Sequence, residues 1–114
     1  MSAATAEETM LLTELWLSFA SVTRSYAAAA GPATGVTATE NSILVISGAA
    51  QLAMTLDPQS GTGNWHIQRA GATTAEGAFA LLPEGRIELE GRALDLDHAA
   101  IDFVALVKQA GNEP

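Results

Sequence analysis

Gln51-Leu52-Ala53-Met54-Thr55-Leu56-Asp57, followed after a polar loop by Trp65-His66-Ile67-Gln68, is the stretch that decides the fold. In the first segment Leu52, Met54 and Leu56 alternate with Gln51, Ala53, Thr55 and Asp57. Successive side chains of a strand point to opposite faces, so this pattern predicts a strand with one buried face. In the second segment Trp65 and Ile67 alternate with His66 and Gln68 in the same way. Between them lies Pro58-Gln59-Ser60-Gly61-Thr62-Gly63-Asn64, a run dense in turn formers. Two half-buried strands joined this closely make a hairpin, and a hairpin makes the sheet antiparallel.

Working outward, the same logic extends the sheet. Ile43-Leu44-Val45-Ile46 is a continuous, largely β-branched run that suits a central strand or one covered on both faces. Gly48 marks the turn after it, and residues 35–39 predict a short strand before it. Downstream, residues 71–74 read as a loop leading into Phe79 and Leu81. Pro83-Glu84-Gly85 fits a type I turn with a glycine at its exit. Ile87 and Leu89 then alternate with Arg86, Glu88 and Glu90, completing a second hairpin. The middle of the chain is therefore a meander of about five strands.

Both flanks change to a helical period. Over residues 5–30, Leu12, Leu15, Trp16, Phe19, Val22 and Tyr26 form one apolar stripe at three-and-four spacing. Thr5 and Glu8 make a capping-box pair at its start, and Gly31-Pro32 stops it. A second helix spans about residues 97–110, capped by Asp95 or Asp97 and ended by Gly111 and Pro114, with Lys108 near the negative end of its dipole. Ala99, Ala100, Ile101, Phe103, Val104, Ala105, Leu106 and Val107 cover nearly its whole circumference. A helix apolar all round is expected to be buried all round, either in a slot between the long helix and the sheet or against a second copy of the chain. The expectation is one α+β domain over residues 1–114: a long N-terminal helix, the antiparallel meander and a C-terminal helix. Both helices lie on one face of the sheet. The other face, with Gln51, Thr55, His66, Gln68, Arg86, Glu88 and Glu90, meets water or a partner.

Composition removes several function classes. The 114 residues include no cysteine, which excludes disulfides, thiol catalysis and thiolate metal sites. The net charge is −8, from 13 acidic and five basic residues. Arg24, Arg69, Arg86, Arg92 and Lys108 are scattered, which speaks against nucleic acid and against an anionic membrane surface. No apolar run approaches the roughly 20 residues of a membrane span, and no basic region precedes Glu7 and Glu8, so a cytoplasmic protein is expected.

Chemistry-bearing residues are few. His66 and His98 fall in no metal-ligand spacing, and neither a metal nor a cofactor is expected. Glu88 with Glu90, and Asp95 with Asp97, read as solvated carboxylates. No serine or threonine sits in a nucleophile motif, and Gly61-Thr62-Gly63-Asn64 lacks the lysine and helix of a phosphate loop. No catalytic residue is therefore named, and an enzyme is the less favoured class. The favoured one is a non-enzymatic interaction or assembly module, a homodimer or small subunit of a larger complex, with Phe103, Leu106 and Val107 as contact residues. The alternative is a small-ligand-binding protein with an apolar pocket between helices and sheet, lined by Trp65 and Met54. His66 would reach such a pocket only if its strand were turned over, because Trp65 and His66 face opposite sides. A further alternative is an acidic chaperone or inhibitor that masks a basic partner.

Overall fold

Short turns dictate which strands become neighbours. The computed structural model describes residues 6–112. Helix α1 (Ala6–Ala30) is followed by β1 (Thr34–Ala38), β2 (Ser42–Ser47), β3 (Ala50–Asp57), β4 (Thr62–Arg69), β5 (Ala72–Leu82), β6 (Arg86–Leu89) and β7 (Arg92–Asp95), and then by α2 (Leu96–Asn112). The strands form one sheet in sequence order, each antiparallel to the next. Gly48-Ala49, Ala70-Gly71 and Glu90-Gly91 each join two strands as a two-residue loop, which admits only antiparallel pairing. Ala70 and Gly71 have φ of 55° and 81°, and Glu90 and Gly91 have 52° and 80°, the paired positive values of a type I′ turn. Between β5 and β6, the Gly85 amide donates to the Leu82 carbonyl at 3.0 Å, closing the Pro83-Glu84-Gly85 turn.

The sheet has seven strands rather than about five. Residues 71–74 are not a loop, because β5 begins at Ala72, and Arg92–Asp95 is a strand that the sequence reading left unassigned. Both errors have one source: the flanking turns place a non-glycine residue, Ala70 or Glu90, at positive φ, where Asn or Asp would have signalled the turn.

The inward positions of the strands and the facing sides of both helices form a single core. Ile43, Val45, Leu52, Met54, Leu56, Ile67, Phe79, Leu81 and Ile87 from the sheet pack with Leu12, Trp16, Phe19 and Ala20 of α1 and Ala99, Ala100, Phe103 and Val107 of α2. Trp16 stacks on Phe79 with ring centroids 5.7 Å apart and planes 6° apart. Asp95 is the cap of α2: its carboxylate accepts the His98 amide at 2.7 Å. Lys108 does not serve the end of its own helix. Its Nζ donates to the Ala30 carbonyl at 3.0 Å, satisfying one of the orphan acceptors in the last turn of α1.

Two further expectations need correction. Gly111 lies inside α2 and does not terminate it. Its role is close approach, since a Cβ there would overlap the Ser47 carbonyl oxygen at the end of β2. Nor is α2 enclosed. Its inward stripe is Ala99, Ala100, Phe103, Val104 and Val107, spaced three and four apart, while Ile101 and Leu106 remain 45 % and 42 % exposed on the other side. The small alanines seat the helix close to its neighbours on one flank only. Of the remaining terminal assignments, Thr5 and Pro114 lie outside the described residues.

Candidate binding pocket

The pocket arises where β6 leaves its neighbour early. Strand β5 pairs with β4 from Ala72 to Ala80, but with β6 only from Phe79 to Leu82. The last β6 residue, Leu89, stands opposite Phe79, and the chain then turns at Glu90-Gly91 into β7. Two residues back along the inward face of β5 is Gly77, which carries no side chain. The Trp65 indole lies over that gap: a Cβ built on Gly77 would sit 2.9 Å from Trp65 Nε1. Phe103 of α2 meets Trp65 edge to face, with centroids 5.5 Å apart and planes at 73°.

A cavity of about 280 Å³ results. Trp65, Gly77, Leu89, Leu94, Phe103 and Leu106 supply its apolar walls, and Glu90, Arg92 and Asp102 are the charged residues that border it. Its size falls just below the roughly 300–1,000 Å³ range of small-molecule sites, so it suits a single side chain or a fragment better than a large ligand. Asp102 also approaches His98 Nε2 at 3.9 Å, one helical turn away. A more open depression of about 550 Å³ lies along Thr55, Asp57, Thr62, Asn64 and Ala78, with Phe79 as its one aromatic lining residue.

The structure brings together three of the sequence-derived candidates: Trp65, Phe103 and Leu106 all line this pocket. Met54 pairs with Trp65 across the β3–β4 ladder but is buried in the core, and Val107 is fully buried. Phe103 is buried too, so among the three proposed contact residues only Leu106 offers surface to a partner. His66 faces away, on the outer surface of the sheet between Ala53 and Glu76 in cross-strand register. Sequence reasoning missed Gly77 and Leu94. Leu94 belongs to the unassigned strand, and nothing in Ala75-Glu76-Gly77-Ala78 marks the glycine as the floor of a cavity. Among the described residues, no three His, Asp or Glu side chains are grouped so that they could hold a metal ion, and no helix is long and apolar enough to cross a membrane.

Comparison with known proteins finds no matching family model, no similar curated protein and no similar solved structure. The functional reading rests on the pocket's own chemistry.

Proposed function

We propose that this chain is a cytoplasmic, non-enzymatic binding module whose pocket between α2, β4–β5 and the β6–β7 hairpin receives an apolar side chain of a protein partner. The observation that carries this reading is a socket walled by Trp65, Phe103, Leu89, Leu94 and Leu106, too small for most ligands and open to solvent beside exposed Leu106. Aromatic walls around a desolvated pocket are where interfaces concentrate their binding energy.

Trp65 lines the pocket and Trp16 is fully buried, so one indole N–H resonance reports on the site and the other serves as an internal control. Titration with N-acetyl-leucinamide is expected to move the Trp65 resonance saturably and leave that of Trp16 in place. At about 0.3 kcal/mol per heavy atom, saturation falls in the order of the millimolar range. Leu106→Glu is expected to abolish the shift. A wild-type titration in which neither resonance moves overturns the proposal.

A second reading, self-association through the helical layer, is favoured by the exposure of Met10 (65 %), Leu17 (47 %) and Ile101 (45 %). Sedimentation of the same samples through the micromolar range reads it directly: a mass that stays monomeric removes it.

A further inference from the structure

The edge of β5 beside the pocket has no strand against it. Along residues 72–78 the only strand paired with β5, among the described residues, is β4. The orientation of the backbone follows from one hydrogen bond: the Leu81 amide donates to the Gly61 carbonyl at 2.6 Å, on the β4 side. Backbone groups alternate sides along a strand, so those of Leu82 and Ala80 face β6, those of Ala78 face the same way beside the Glu90 turn, and those of Glu76 have no strand beyond them. The register is regular from Ala75 to Ala80, and the bulge between Ile67 and Gln68 lies beyond that stretch.

The vacant lane has a specific geometry. Leu89 stands opposite Phe79 on the inward face, and the next inward position in that lane is opposite Gly77, about 7 Å further on. A side chain at that position would enter the cavity of Trp65, Phe103 and Leu106, occupying the place a longer β6 would have filled. The position opposite Ala78 is taken by Glu90, where the chain turns away, so a segment entering this lane begins at the pocket and its next residue faces outward, opposite Glu76. Glu90 and Asp102 border the pocket with one cation, Arg92, and Glu76 stands outward beside His66, on a chain of net charge −8.

We propose that the open edge of β5 and the pocket beneath it form one site for an extended, basic–apolar peptide segment. The segment runs antiparallel to β5 starting at the pocket, seats its first, apolar side chain opposite Gly77, hydrogen-bonds to Glu76 through its second residue and sets a Lys or Arg there against the Glu76 carboxylate. Strand addition supplies backbone affinity, the pocket supplies side-chain selection, and the cross-strand charge pair sets the sign of the partner. This inference rests on the pocket reading above and adds the partner's conformation and charge.

Three amidated tetrapeptides with a free N-terminus test it by the Trp65 and backbone amide resonances of the intact chain: Val-Lys-Ile-Lys, its counterpart with every Lys replaced by Glu, and the basic peptide N-methylated at its second residue, the one that would pair with Glu76. The basic peptide is expected to shift Trp65 and to slow hydrogen exchange at the Glu76 amide. N-methylation is expected to weaken binding at least tenfold, as is the change to Glu. Glu76→Lys is expected to weaken the basic peptide by roughly two- to fivefold while leaving the N-acetyl-leucinamide titration unchanged. If the methylated peptide binds as well as its parent, strand addition is wrong while the pocket stands. If the acidic peptide binds as well as the basic one, the partner's charge is wrong. If neither peptide nor amino-acid amide moves Trp65, the pocket reading itself falls.

Discussion

Trp16 and Trp65 sit over consecutive inward positions of the same strand and end in opposite surroundings. Trp16, from α1, stacks on Phe79 and is fully buried. Trp65, from β4, lies over Gly77 and keeps one side on an open cavity. The difference comes from what β5 offers beneath each ring and what lies alongside. Phe79 supplies a ring to stack on, and β6 continues the sheet beside it. Gly77 supplies nothing, and β6 has already turned away. One aromatic residue therefore closes the core, and the other becomes the wall of a cavity. On the proposed reading the first ring serves stability and the second recognition, a contrast that mutation can break.

The largest effect is expected from removing each ring in turn. Trp16→Ala leaves a large void in a closed core and should cost about 3–5 kcal/mol in denaturant unfolding. Trp65→Ala enlarges a cavity that solvent already reaches and should cost about 1–2 kcal/mol, because the indole buries only part of its surface. It should also eliminate binding of N-acetyl-leucinamide. Equal losses of stability for the two variants would end the distinction between core and wall.

A smaller and sharper effect comes from adding a methyl group at two glycines. Gly63 faces the Thr55 carbonyl oxygen and the Phe79 ring, both fixed, and a Cβ there would overlap them. Gly63→Ala is expected to cost about 1–3 kcal/mol, the usual penalty of overpacking. At Gly77 the obstacle is the Trp65 indole, and that ring has the cavity to move into. Gly77→Ala should cost roughly 1 kcal/mol or less while displacing the Trp65 indole resonance. The same loss at both positions would show that Trp65 is as tightly held as Phe79.

The core half of this contrast was legible in the sequence and the site half only in fragments. The three-and-four spacing of Leu12, Trp16 and Phe19 marks a buried stripe, and the alternation around Met54 and Trp65 marks an inward strand face. Asp95 was one of two named caps, and it is the one used. Trp65, Phe103 and Leu106 were each picked out, but Trp65 as ligand wall and the other two as dimer contacts. Their convergence depends on the length of β6, which is set by a Glu90-Gly91 turn with glutamate at φ 52°. Local propensity does not announce a turn of that composition. The missing side chain at Gly77 is likewise silent, since a glycine among alanines and threonines has no periodic signature. Periodicity reports which face is buried, not where a neighbouring strand stops, and the pocket is a consequence of stopping.

The most local expected effect tests whether the two regions respond separately. Asp95→Ala removes the carboxylate that accepts the His98 amide and should cost about 1 kcal/mol. The first turns of α2 lead directly into Asp102 and Phe103, which wall the pocket. The far end of the helix is held independently, by Lys108 on the Ala30 carbonyl and by Gly111 against Ser47. Loss of the cap should therefore fray α2 from the pocket side only. Amide exchange is expected to speed up over residues 96–103 and to stay unchanged over residues 105–111 and around Trp16. Faster exchange along the whole helix would mean that α2 opens as one unit, so that the socket could not loosen without the core.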